Sequence, residues 1–391
     1  MWGIAFSAFF ADLGYQAILA VFPLYLVLHL GAPVWVYGLS QALAYGPGAV
    51  FGYAGGRLAE RYGRWTVAVI GNAFIPLMAL TGLTTVPMLA VALLVVGWWA
   101  RNLRSPPRRA LLTEAVAPIH RGEAFGFLHA LDVGGGMLAA AYAVLLLLGG
   151  IAYSTVLLVT ILPLVVSTLV LLRVRAGRAR PAPARRPTSP EAARDLRPTS
   201  STERRLLSGI LAATVLYGFA SFSIGFPVLT TAHATGDAAL GILVFLVSLG
   251  VSAGVGLFVG RIARRRVLLL ALGGYLVAAA GSALFALAAA VSAGIAVFLL
   301  AAAVLGAALG TVETWEPTLI ARVSSPDRTD RNLGSLTAYR SVGLFAANLM
   351  LGVLALANAW VPYVYASVSA LAATIVLVVV ARGADAQLGS G

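Results

Sequence analysis

The chain has no cysteine, and none of its 27 basic residues is lysine. Without cysteine there is no disulfide framework and no thiolate metal site. Charge is scarce as well, at 10% of 391 residues, against about 25% in a soluble domain. Histidine occurs only at His29, His120, His129 and His233, with no spacing that would ligate a metal. A G-x-x-x-x-G-K-S/T loop is missing, so ATP is not the expected energy source. With no H-E-x-x-H helix and no clustered His/Asp set, an enzyme is not expected, and no cofactor is implied.

What is present is apolar. The chain is 60% hydrophobic, and its mean hydropathy is +0.93. A soluble fold cannot hide that much apolar surface, so lipid is the expected solvent for most of it. The net charge of +13 does not point to nucleic acid, because a basic nucleic-acid surface needs a polar face to carry it. A span needs about 20 apolar residues. That ruler places twelve, at roughly 3–29, 34–56, 65–84, 87–105, 122–148, 151–173, 206–231, 238–260, 267–290, 293–317, 333–357 and 360–381. The first 30 residues carry Asp12 and lack a basic start, so they read as a span rather than a signal peptide.

Arginine falls in every second connection: 57–64, 101–121, 173–205, 261–266 and 322–331. The alternate turns contain none. Positive charge marks the cytoplasmic side, so both termini and all the arginine loops are expected there, in the inner membrane of a prokaryote. Residues 176–204 are rich in proline, arginine, serine and threonine and read as a flexible cytoplasmic linker. The linker separates an N-terminal half, 1–175, from a C-terminal half, 205–391, of six helices each. The basic linker is expected to meet anionic lipid headgroups. The tail from Gly383 is small and polar and is expected to lie beyond the last span.

The halves share a pattern. Gly56-Arg-Leu-Ala-Glu60-Arg61-Tyr-Gly63-Arg64 is a charged hairpin between two apolar runs, and 204 positions later Gly260-Arg-Ile-Ala-Arg264-Arg265-Arg266 rewrites it. Arg121 and Arg331 open helices 5 and 11 at nearly the same offset. Parallel six-helix halves about an axis along the membrane normal are a transporter plan.

The hairpin between helices 2 and 3 resembles that of the major facilitator superfamily, G-x-x-x-D/E-R-x-G-R, matched here by Gly56, Glu60, Arg61, Gly63 and Arg64. With twelve spans, a basic linker and the second copy, the resemblance covers nearly the whole chain. It implies an all-helical membrane fold of two pseudo-symmetric six-helix bundles. It also implies a secondary active transporter, monomeric, working by alternating access on a small-molecule substrate. Helices 1, 4, 7 and 10 would line the cavity, 2, 5, 8 and 11 would flank it, and 3, 6, 9 and 12 would face outward. The five hairpin residues would act as a conformational latch. Gly56 and Gly63 would allow close packing and a sharp turn, Glu60 would accept from a neighbouring helix N-terminus, and Arg61 and Arg64 would hold the loop. The second copy departs from the pattern, since Arg264 stands where the acid belongs. Drug exporters of the family carry an arginine and a Gln-Gly pair in helix 4. Arg101 fits, but Arg104-Ser105-Pro106-Pro107 replaces the pair.

Ionisable residues inside spans are functional candidates by default. Asp132 lies eleven positions beyond Arg121, hence ~16 Å deep at about 1.5 Å per residue. Asp12, Arg101, Glu313, Glu316 and Arg340 complete the set of coupling or substrate candidates. Helix 4 is basic and helix 5 acidic in the first half; helix 10 is acidic and helix 11 basic in the second. Bridges across the halves follow from that inversion, with Arg101 and Glu313 as a gate. The alternatives are local: Asp132 satisfied by Arg101, or Glu313 and Arg340 as a structural pair. Arg104, Arg108 and Arg109 are expected at headgroups, and a helix break is expected at Pro317. Buried carboxylates can exchange protons, so proton-coupled export of a small organic solute is the leading expectation. An anionic solute, a lipid or a metal ion on the same scaffold are the alternatives.

Overall fold

A computed structural model of the chain describes residues 2–117, 120–174, 201–262, 267–323 and 329–388. Among these residues every regular element is helical, and they form twelve rods. Six make the N-terminal half: α1 (Trp2–His29), α2 (Val34–Tyr62), α3 (Arg64–Leu83), α4 (Pro87–Glu114), α5 (Arg121–Leu148) and α6 (Tyr153–Arg173). Six make the C-terminal half: α7 (Ser201–Ala220 and Gly225–Thr235), α8 (Ala238–Ile262), α9 (Val267–Ala290), α10 (Ile295–Val323), α11 (Thr329–Leu354) and α12 (Val361–Leu388). Most of the expected linker, and Arg264 with its neighbours in the second hairpin, lie outside the described residues. Several edges differ from expectation: α2, α4 and α10 run past the ends expected at 56, 105 and 317, α7 starts inside the stretch read as linker, and α12 runs on into the polar tail.

Ten of the rods are long and apolar enough to cross a membrane by composition. The other two, α2 and α4, fall short for a physical reason. Glycine and Gln41 dilute α2, and Arg101, Asn102 and Arg104 dilute α4. These rods pack on each other, and α2 also packs on α11, so protein rather than lipid covers their polar positions.

Pro317, where a helix break is expected, does not break its helix, and the two prolines just past the expected end of the fourth span do not end theirs. Pro106 and Pro107 lie inside α4, and Pro317 lies inside an unbroken α10. A proline removes one backbone donor and crowds the carbonyl four residues back. Within a packed membrane bundle that loss is tolerated. The carbonyl of Leu103, four before Pro107, faces Gly55 of α2, where a Cβ would collide with it. The chain does leave the helix at 221–224, in the middle of α7.

The halves meet along two main seams, α2 on α11 and α5 on α8. At the end carrying the arginine-free turns, one apolar core runs through both halves, joining Phe22, Val36 and Val91 to Phe226, Ile242 and Leu351. At the arginine-rich end the cores separate. Ile4, Ala8 and Leu112 form one in the N-terminal half, and Ile210, Leu319 and Leu336 form another in the C-terminal half. The molecule is therefore sealed at one end and split at the other. Small residues make the seal: a Cβ on Gly38 of α2 would stand 2.5 Å from the Asn348 carbonyl and 2.9 Å from Cα of Gly352 on α11.

Candidate functional site

Between the halves, below the seal, lies a cavity of about 410 Å³, within the usual range for small-molecule sites. Gln16 of α1, Tyr45 of α2, and Trp98 and Arg101 of α4 face it from one side. Glu313 of α10, Arg340 of α11 and the interruption in α7 face it from the other. Helix α9, expected on the outside, also reaches the wall through Ala278 and Ser282.

On the N-terminal wall the Arg101 guanidinium lies 5.0 Å from the Tyr15 ring centroid and 4.8 Å from that of Trp98. It donates to the Tyr15 hydroxyl at 3.1 Å and to Asn102 Oδ1 at 3.3 Å. Tyr15 in turn donates to the buried carboxylate of Asp12. Asp12 and Arg101 are therefore linked through a phenol and form no direct ion pair. Arg101 does not pair with Asp132; Arg108 does, through one oxygen at 3.5 Å, and the other oxygen of Asp132 is buried without a partner. Arg104 is buried and donates to Asn72 of α3. The expectation that Arg104 and Arg108 lie at headgroups is thus corrected. The helix continues through Pro106-Pro107 and carries both guanidinia inside the half, whereas Arg109 is exposed.

On the C-terminal wall Arg340 donates through Nη1 to Glu313 at 2.5 Å and through Nη2 to Glu316. Glu316 is fully buried and also accepts from Tyr275 and, at 3.3 Å, from Thr214. Tyr275 sits in a π-helical turn of α9, Ala271–Leu276, and stacks on Tyr217 at 4.4 Å. The side chain of Glu313 is 56% exposed. Glu313 and Arg340 are paired, yet both remain on the cavity wall. The ion pairs of each wall, Arg108 with Asp132 and Arg340 with Glu313 and Glu316, stay within their own half, and no bridge joins Arg101 to Glu313 in this state.

The interruption in α7 forms the roof. Ser223 lies hydrogen-bonded across the halves, to the Tyr37 hydroxyl at 2.8 Å and to Gln41 Oε1 at 3.0 Å. Its backbone N–H donates to Asn348 Oδ1 at 3.0 Å. Open backbone at membrane depth is tolerated where it lines a cavity, and interrupted helices mark transporter binding sites. The apolar run of α7 reads in sequence as one unbroken span, so this break departs from expectation. Two serines flanking Phe222, just past Gly218, are the available signal. Asn72, Thr214 and Tyr275 carry none.

The hairpin lies at the split end. Gly63 has φ +89°, a left-handed conformation that favours glycine, and it lets α3 begin directly after α2. Gly56 does not serve close packing, since a Cβ there would meet open space; its neighbour Gly55 does that. Arg64 bridges to Glu114 at the end of α4, and Arg61 lies 5.3 Å from the Tyr62 ring. Glu60 is exposed and has no ion pair among the described residues.

Residues 4–348 match the family described as the Major Facilitator Superfamily. The chain belongs to the major facilitator superfamily. No curated protein matches it in sequence. Among solved structures, a point mutant of the nucleoside transporter NupG is 14% identical, with 98% of both chains covered and a TM-score of 0.72. A D-xylose–proton symporter is 15% identical over 96% of this chain and 97% of that one, with a TM-score of 0.72. A POT family transporter in complex with 5-aminolevulinic acid is 11% identical over 98% and 96%, with a TM-score of 0.74. Identities this low establish a shared fold. The superfamily membership makes this chain a multi-pass membrane transporter of a small molecule rather than an enzyme. One hydrolase-like pattern does occur, Gly250-Val-Ser252-Ala-Gly254. It lies inside the continuous helix α8, not on the strand-to-helix turn that makes such a serine a nucleophile.

Proposed function

We propose that the protein is a proton-coupled secondary transporter that exports a small organic solute from the cytoplasm by alternating access. One observation carries this reading. The cavity sits under a continuous core that joins the halves at one end, while the other end has two separate cores. With the arginine loops cytoplasmic, as the positive-inside rule directs, the state described is open to the cytoplasm. Proton coupling draws support from Asp12 and Asp132 behind Arg101 and Arg108, and from Glu313 on the cavity wall. These are carboxylates within rods, where a charge change alters the balance between states. Export draws support from Arg101, which matches the exporters' helix 4 arginine.

The test uses the full chain in vesicles with a pH-sensitive dye inside. A panel of amino acids, peptides, sugars, organic acids and drug-like cations is added, and solute-driven proton movement is read. At least one class is expected to move protons. Asp12→Asn, Asp132→Asn or Glu313→Gln should then retain exchange but lose gradient-driven accumulation. If all three still concentrate the solute with unchanged pH dependence, coupling through these carboxylates is wrong.

A further inference from the structure

Resting on the reading of this cavity as the transport site, we propose that its solute is zwitterionic, with a carboxylate that faces Arg101 and an ammonium that faces Glu313. The argument begins with what each charge lacks. Arg101 has only neutral partners, Tyr15 and Asn102, and its Nε has none. Among the described residues it forms no ion pair. A half-buried guanidinium on the cavity wall beside two aromatic rings, without a carboxylate in contact, is an anion receptor awaiting its anion.

Glu313 is the complement. Arg340 occupies its Oε1, and the rest of the side chain is open to the cavity. Arg340 itself has both terminal nitrogens engaged, one on Glu313 and one on the buried Glu316. The local sum of formal charges on this wall is one arginine against two glutamates, net −1. On the opposite side Arg101, Arg104 and Arg108 stand against Asp12 and Asp132, net +1. The walls are thus oppositely charged, and the halves carry that inversion in corresponding helices, α4 against α10 and α5 against α11.

Single-charge solutes fit this arrangement poorly. An anion would complete Arg101 but face a wall of net negative charge, where the second oxygen of Glu313 would still lack a cation. A cation would complete Glu313 but meet Arg101. A solute with both groups completes both walls and adds no net charge to a site of low dielectric. Between the charged walls the lining is largely aromatic and aliphatic, with Tyr45, Trp98, Tyr217 and Leu309. An apolar body between the two charged groups matches it.

The probes are L-phenylalanine and glycyl-L-phenylalanine, each also as its N-acetyl acid, its amide and its doubly capped form. Binding to the purified full chain is measured by calorimetry, and proton movement is followed in vesicles. At least one zwitterion should bind ten-fold or more tightly than all three of its capped forms. In Arg101→Gln the zwitterion and its amide should bind alike. In Glu313→Gln the zwitterion and its N-acetyl acid should bind alike. Equal wild-type binding of zwitterion and N-acetyl acid would reduce the site to an anion receptor and overturn the proposal. So would silence of every probe together with a response to a sugar or a singly charged solute; transport would then stand without the zwitterion. If no solute of any class moves protons, the proton-coupled reading fails, whatever binds.

Discussion

Glu313 and Glu316 sit one turn apart on α10, yet their carboxylates occupy different solvents. Glu316 has no exposed surface and accepts from Arg340, Tyr275 and Thr214. Glu313 faces the cavity with over half of its side chain exposed. Removing one member of a buried ion pair costs about 3–5 kcal/mol because the other charge is stranded. Arg340 would keep Glu313, so Glu316→Gln is expected to lose about 2–4 kcal/mol, at or below that range. An exposed pair is worth about 0–1 kcal/mol, so Glu313→Gln should unfold at nearly the wild-type temperature. Thermal unfolding in detergent separates them; equal shifts would mean that the burial of Glu316 does not set its role. Both glutamates are legible as candidates from their positions in a span. Their different environments are not, because burial depends on Tyr275 and Thr214 from α9 and α7, at 41 and 102 positions' distance.

At the scale of the element, the seam between α2 and α11 is made by glycine. Gly38 and Gly352 let the backbones touch, and any larger side chain acts as a wedge. Overpacking costs about 1–3 kcal/mol, enough to move a two-state equilibrium roughly 5- to 150-fold. Gly38→Leu should therefore open the sealed end. Ser248 on the cavity wall gives the readout. The native chain has no cysteine, so Ser248→Cys is its sole thiol. Labelling of intact cells by a membrane-impermeant reagent should speed up in the Gly38→Leu background. An unchanged rate would show that the seam does not hold the seal. The rods themselves are legible in the sequence, because long apolar runs and alternating arginine loops are local signals. The extension of α4 is not. The expected span ends at 105, before Pro106-Pro107, and only the packing of α2 against the Leu103 carbonyl shows how the helix passes them. The true places of Arg104, Arg108 and Glu114 are hidden for that one reason.

The whole molecule adds a constraint that no single seam contains. Helices α2 and α11 touch from the sealed end, at Gly38 and Gly352, down to the level of the cavity, where a Cβ on Gly46 would meet the Phe345 ring. Val50 and Tyr53 follow Gly46 on nearly the same face of α2, and Val342 lies one turn before Phe345 on α11. Val50 is 65% exposed and Val342 is 60% exposed. If the halves rock as rigid bodies, opening the sealed end must bring these two valines together. The wedge and the closure are then one motion read at opposite ends. Val50→Cys with Val342→Cys should cross-link slowly in the wild-type background and severalfold faster with Gly38→Leu. The same pair reports on the hairpin. Arg64 bridges to Glu114 within the N-terminal half while the arginine-rich end is split. If Gly56, Glu60, Arg61, Gly63 and Arg64 form a latch that engages when this end closes, Glu60→Gln and Arg64→Ala should lower the cross-linking rate without lowering the unfolding temperature. Cross-linking indifferent to the wedge would mean that the halves bend rather than rock. Sensitivity to the wedge without sensitivity to Glu60 and Arg64 would leave the hairpin as a topological anchor and place closure entirely in the packing of the two seams.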